Sequence, residues 1–194
     1  MATTALDRRT FLASAVATLA GSGVTHATAA RSTAFDHAFQ GIEGGSIQLG
    51  DYRGKLLMVV NTASRCGFVN QYAGLQSLWT RYRARGLTIV GVPANDFAGQ
   101  EPGSNDEIMG FCSSTFGVTF PLAAKTSVRG DAAHPFYRWA AEQRPNEIPR
   151  WNFHKYLIGR DGRITAVFPT SVEPTDARVI TSIERALLGS ATNT

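Results

Sequence analysis

The chain has 194 residues, enough for one domain with a substantial core, and its 43% hydrophobic and 18% charged residues are those of an ordinary globular protein. That balance excludes a disordered or fibrous chain. The formal net charge of +4 is not gathered into a basic block, which argues against nucleic acid as the main partner.

The first thirty residues differ from the rest. Arg8-Arg9-Thr10-Phe11-Leu12 leads into a stretch without Asp, Glu, Lys or Arg that runs to Ala30 and closes on Ala27-Thr28-Ala29, an A-x-A cleavage pattern. This is the layout of a secretory signal. The paired arginines resemble a twin-arginine leader, although Asp7 stands where such leaders usually have Ser or Thr. Residues 1–30 are therefore expected to be a cleaved signal peptide and residues 31–194 the functional domain, exported to the periplasm. Phe11 to Val24 is short and weakly apolar for a membrane span, so no stable membrane insertion is expected after cleavage. The mature chain keeps 17 basic and 14 acidic residues.

Phe35 to Leu49 places Gly41, Gly44 and Gly45 between short apolar stretches and reads as a hairpin. Leu56 to Val60 is a continuous apolar run, as in a strand buried on both faces. Cys66-Gly67 opens what reads as a helix, with Asn70 as a cap, Tyr72, Leu75, Leu78, Trp79 and Tyr82 at helical spacing, and Gly86 at its end. Leu87 to Pro93 is a second buried strand, so the three elements make a βαβ unit with parallel strands. The polar, glycine-rich Asn95 to Gly103 follows. Ser104 and Glu107 form a capping box for a helix carrying Ile108, Phe111, Cys112 and Thr115 on one face. His134-Pro135 starts a short helix through Ala141. Trp151 to Gly159 and Arg163 to Phe168 flank an Asp161-Gly162 hairpin turn, and Val179, Ile180, Ile183, Ala186 and Leu187 give a final amphipathic helix. A βαβ half followed by a ββα half is the thioredoxin-like arrangement: a central mixed sheet flanked by helices, with an N-terminal hairpin.

Cys66 sits where a strand turns into a helix, where amides and the positive helix end favour a thiolate. The plainer reading is a buried, inert cysteine. The only other cysteine is Cys112, and two cysteines in an exported protein often form one structural disulfide. Two further segments carry polar side chains in apolar or glycine-rich settings: Gln100, and Trp151-Asn152. Loops at the carboxyl ends of parallel strands converge on one crevice. Trp151-Asn152 enters its strand from the other end and is expected to reach that crevice only if the preceding loop wraps over it. The chemistry that wants this set is peroxide reduction. A thiolate takes one peroxide oxygen to become a sulfenic acid, and neutral donors (the Gln100 and Asn152 amides, the Trp151 indole N–H) stabilise the charge on the oxygen that leaves. The histidines His37, His134 and His154 lack ligand-like spacing, and neither a metal nor another cofactor is expected.

The three segments resemble the glutathione peroxidase family: Asn61 to Phe68 its peroxidatic-cysteine segment, Asn95 to Gly103 its second signature, and Trp151-Asn152-Phe153 with Lys155-Tyr156-Leu157 its third. The likeness runs from about Phe35 to Leu188. It implies a thioredoxin fold, a catalytic tetrad of Cys66, Gln100, Trp151 and Asn152, and a cysteine rather than a selenocysteine enzyme acting on hydrogen peroxide or organic hydroperoxides. Val69-Asn70 and Ala98 depart from the family pattern, so altered loop geometry is expected there. The short segment between Ala141 and Trp151 implies a monomer. The surroundings of Cys112, from Phe111 to Pro121, resemble the resolving-cysteine helix of the two-cysteine members, in which the disulfide is reduced by a thioredoxin-like protein. Glutathione is the other candidate reductant. Release of Cys112 needs a helix of low local stability, with which Gly110 and Thr115 are in keeping. A thiol–disulfide oxidoreductase of the same fold is disfavoured, because Val69 stands where a C-x-x-C pair needs its second cysteine. A peroxide sensor that forms the 66–112 disulfide without turnover remains the alternative.

Overall fold

The chain divides into two units, Met1–Arg31 and Ser32–Thr194. The computed structural model describes residues 1–3 and 32–189, and the expected signal segment lies outside the described residues but for its first three. No helix among the described residues is long and apolar enough to cross a membrane.

The N-terminal hairpin forms from β1 (Ala38–Gln40) and β2 (Ser46–Gln48), paired antiparallel. β3 (Leu56–Thr62) and β4 (Leu87–Pro93) are buried along their whole length and pair in parallel from Leu56–Leu87 to Thr62–Pro93. The helix between them, α1 (Gln71–Tyr82), runs on through a short 3₁₀ turn to Gly86, whose φ of 102° ends it in a conformation that favours glycine. α2 (Asn105–Phe116) starts at the expected capping box: the Ser104 hydroxyl accepts from the Glu107 amide, and the Glu107 carboxylate accepts from the Ser104 amide. On this helix Ile108 and Cys112 face the core, while Thr115 is exposed. The stripe thus omits Thr115, while Phe111 and Phe116 pack partly buried against the same core. α3 (Pro135–Gln143) is capped by the His134 ring.

β5 (Lys155–Ile158) pairs antiparallel with β3, and β6 (Ile164–Phe168) with β5, giving the order β4-β3-β5-β6. At the hairpin turn Gly162 has φ 81°, and a Cβ there would stand 2.7 Å from the Phe35 ring, so both conformation and space demand glycine. α4 (Ala177–Leu188) closes the chain, with Val179 and Ile183 buried. Alternating side chains of the sheet feed two apolar layers. Leu56, Met58, Val60, Leu87, Ile89 and Leu157 pack with α1, α2 and α4. Leu57, Val59, Val90, Val92, Tyr156 and Ile158 pack with α3 and the hairpin. This is the expected thioredoxin-like mixed sheet flanked by helices.

One loop residue is conformationally expensive. Ala98 has φ 53° and precedes Gly99 at φ 63°, two successive left-handed residues as in a type I′ turn. An L-residue there costs about 1–2 kcal/mol, partly offset by the extra freedom glycine has when unfolded. Ala98→Gly should raise unfolding stability by about 0.5–1 kcal/mol, read from the urea midpoint; an unchanged midpoint contradicts it.

Candidate functional site

Cys66 lies in a chain of turns between β3 and α1, not in the first turn of the helix. α1 begins only at Gln71, and Asn70 occupies its N-cap position without a side-chain capping bond. Successive tight bonds, Val69 N–H to Cys66 O (3.0 Å), Gln71 N–H to Phe68 O (2.9 Å) and Tyr72 N–H to Val69 O (3.1 Å), carry the chain into the helix. Gly67 and β-branched Val69 are poor residues for a first helical turn, so the regular helix opens not at Cys66-Gly67 but after Asn70, where the apolar spacing from Tyr72 places it. The amide that meets the sulfur is local: Phe68 N–H stands 3.4 Å from Cys66 Sγ. The regular helix thus begins beyond Cys66, further from its sulfur than the sequence suggested. Cys66 is buried, with 3% of its surface exposed, and its thiol faces the Asn152 carbonyl at 3.9 Å.

Trp151-Asn152 reaches this point directly. β5 runs antiparallel to β3, with Lys155 opposite Val60, so residues just before β5 lie at the carboxyl end of β3. The wrapping loop expected from the sequence is not needed, because the strand enters from the same end at which β3 leaves. The Asn152–Phe153 peptide is cis.

Asn61, on β3, sets the orientation of the polar groups here. It is fully buried, and its amide nitrogen donates to the Trp151 carbonyl (3.1 Å) and to Asn152 Oδ1 (2.9 Å). A carbonyl only accepts, so the Asn61 nitrogen must face it. Asn152 therefore turns its oxygen to Asn61 and its nitrogen outward, where it donates to Gln100 Oε1 at 3.5 Å. Gln100 in turn accepts through its oxygen, and among the described residues its own NH2 is the free end of the relay. Gln100 is half-buried, and its carbonyl accepts from the Arg65 amide at 3.0 Å, which ties the second loop to the residue before Cys66. The Trp151 ring packs beside Phe97, with centroids 5.8 Å apart. The structure thus brings Cys66, Asn152 and Gln100 into one connected network with Trp151 beside it.

Two further residues of this network went unassigned in the sequence. Asn61 had one signal: a polar residue continuing a run of five apolar ones. Glu101 had none beyond its loop. Its buried carboxylate accepts from the Ser64 amide (2.9 Å) and the Ser64 hydroxyl, and its own amide donates to Asn95 Oδ1 (2.8 Å). Burial raises its pKa above the usual carboxylate value, against the pull of the Ser64 hydrogen bonds.

Cys112 is wholly buried in the same apolar layer as Cys66, and both are free thiols. Burial pushes its thiol up to about 11, opposed by the neighbouring Tyr72 hydroxyl. A cavity of about 410 Å³ separates the Cys66 loop from α2, lined by Ser64, Arg65, Pro102, Gly103, Glu107, Ile108 and Phe111.

The family model "Glutathione peroxidase" matches residues 34–141, a span that holds Cys66, Gln100 and Cys112 and ends before Trp151. The chain is 38% identical over 167 residues to the hydroperoxy fatty acid reductase gpx1 of Synechocystis sp., covering 81% of this chain and 98% of that protein. It is 41% identical over 143 residues to the glutathione peroxidase-like peroxiredoxin gpx1 of Schizosaccharomyces pombe, covering 72% and 90%. Among solved structures, Trgpx in apo form superposes with a TM-score of 0.65 at 32% identity, covering 81% of this chain and 97% of that one. A thiol:disulfide interchange protein from Chlorobium tepidum, at 16% identity and a TM-score of 0.58, shares the fold.

Asn61→Ala removes the donor from two acceptors in a buried site. It should cost about 2–3 kcal/mol in urea unfolding and slow Cys66 oxidation by peroxide in stopped-flow assays. Cys112 should be alkylated by iodoacetamide about 10- to 100-fold more slowly in the native protein than in urea, because burial pushes its thiol up to about 11 and leaves little thiolate. Peptide mass spectrometry at mildly alkaline pH reads this, and equal rates would contradict the buried thiol.

Proposed function

The chain belongs to the glutathione peroxidase family, and on that premise we propose that Cys66, Gln100, Trp151 and Asn152 form its peroxide-reducing site, with Cys112 resolving the oxidised cysteine. The protein is a thiol peroxidase. The Cys66 thiolate attacks one oxygen of the hydroperoxide. An S–O bond forms, the O–O bond breaks, and sulfur is oxidised by two electrons to the sulfenic acid. The other oxygen leaves with the electron pair and takes a proton, giving water or an alcohol. That oxygen gains charge in the transition state, and neutral N–H donors are the groups that stabilise it without holding the sulfur. The observation that carries this reading is the directed relay from Asn61 through Asn152, whose carbonyl faces Cys66 Sγ, to Gln100, whose backbone is tied to Arg65 beside the cysteine.

In the second step the Cys112 thiol attacks the sulfenic sulfur. An S–S bond forms and water leaves. Cys112 is buried, so α2 must open for the two sulfurs to meet, which Gly110 in its middle favours. A thioredoxin-like protein, or glutathione as a low-molecular-weight thiol, then reduces the disulfide. Hydrogen peroxide and organic hydroperoxides are the substrates, and the Synechocystis relative's name, hydroperoxy fatty acid reductase, is in keeping with a bulky hydroperoxide. The protein works as a monomer. The paired arginines Arg8-Arg9 and the Ala27-Thr28-Ala29 pattern support export to the periplasm after cleavage of residues 1–30, leaving residues 31–194 as the working enzyme without stable membrane insertion.

Cys66→Ser should abolish peroxide consumption, and retained turnover would sink the assignment. Cys112→Ser should still form one sulfenic acid per chain, trapped by dimedone, but stall in steady state with a thioredoxin system. Full-rate recycling of that variant by glutathione would overturn the two-cysteine cycle.

A further inference from the structure

Lys155 is the first residue of β5, three residues after Asn152, and it is fully buried. Its ammonium donates to the Phe153 carbonyl (2.7 Å) and the Val172 carbonyl (2.8 Å). Among the described residues no carboxylate lies within ion-pair distance of it. The exposed Glu173 acts on it only through space, and burial lowers its pKa to about 7. Removing an ammonium from water costs several kcal/mol, so a lysine here is an expensive way to fill space. An apolar residue of similar length would pack more cheaply at a strand start.

The two carbonyls show what the expense obtains. Phe153 belongs to the turn whose Asn152 carbonyl faces Cys66 Sγ and whose Asn152 side chain joins Asn61 to Gln100. Val172 belongs to the loop between β6 and α4. That same loop is held from the other side by Gln71, the first residue of α1, whose Nε2 donates to the Thr170 carbonyl at 2.7 Å. Gln71 begins the helix that follows the Cys66 turns. The loop at 169–176 is therefore a bracket. Lys155 fastens the Asn152 turn to it, and Gln71 fastens the Cys66 helix.

We propose that Lys155 is a positioning residue for peroxide reduction, a buried clamp that sets where the Asn152 carbonyl and carboxamide stand relative to Cys66. This rests on the reading of Asn152 as a donor to the leaving oxygen. Lys155 acts through Asn152 and touches neither the sulfur nor the peroxide. Small displacements of such a donor cost up to about 100-fold in rate.

The test uses the Cys112→Ser background, so that only Cys66 reports, and measures two rates at one pH: oxidation by tert-butyl hydroperoxide and alkylation by iodoacetamide. The second needs the thiolate but no donor to a leaving oxygen. Lys155→Met should slow oxidation about tenfold or more while alkylation changes less than about threefold. An equal fall in both rates, or no fall in oxidation, overturns the proposal. In a double-mutant cycle, Lys155→Met should add little to Asn152→Ala, because both act on the same group; full additivity overturns it. If Asn152→Ala alone leaves oxidation unchanged, the donor role of Asn152 has failed, and the route assigned to Lys155 falls with it. If Asn152→Ala slows oxidation and Lys155→Met does not, only the clamp has failed. Should Lys155→Met not fold, Lys155→Gln, which can donate to one carbonyl, is carried through the same measurements with a smaller fall in oxidation expected; no fall overturns the clamp.

Discussion

The bond from the Asn61 amide to the Trp151 carbonyl is the constraint on which the site depends. It is buried and cannot be reversed, because the acceptor has no hydrogen to give. Every amide after it inherits a direction: Asn152 shows its oxygen to Asn61 and its nitrogen to Gln100, and Gln100 ends the chain with donors to spare. A single flip at Asn61 would reverse the relay and present oxygens where it now turns N–H groups. The site is thus preorganised from the sheet outward, and the strand pairing that puts β5 beside β3 is part of its chemistry.

Buried charge serves the same end. The Glu101 carboxylate grips Ser64, two residues before Cys66, and the Lys155 ammonium grips the turn that carries Asn152. Each costs desolvation, and among the described residues neither lies in a salt bridge. Both convert that cost into fixed loop positions, which a strand or helix would otherwise have to supply. The loops around Cys66 contain Gly67, Ala98 and Gly99 and have little regular hydrogen bonding of their own. Polar tethers hold them together with the backbone turn bonds that follow Cys66. Cys112 illustrates the opposite demand. Its thiol is packed and its pKa raised, which keeps it unreactive in the reduced protein.

Much of this was legible in the chain itself. The apolar run from Leu56, the strand Leu87–Pro93, the capping box at Ser104 and the Asp161-Gly162 turn all stand where their local chemistry places them, because each depends on neighbours within a few residues. The segments holding Cys66, Gln100 and Trp151-Asn152 were also legible, as polar residues in settings that would otherwise reject them. The start of α1 is less so: Cys66-Gly67 looks like a helix opening, but Gly67 and Val69 favour turns and the helix begins at Gln71.

By itself, then, the sequence determined the elements, the thioredoxin-like order and the identity of the chemical groups. The tertiary structure alone decided their geometry. The direction of β5 against β3 is a long-range pairing with no local signature, and it decides which end Trp151-Asn152 meets. The orientation of the amide relay depends on a carbonyl 90 residues from Asn61 in the chain. The work of Glu101 and Lys155 appears only when loops distant in sequence are brought together, since a charged side chain looks alike in sequence whether it faces water or clamps the core.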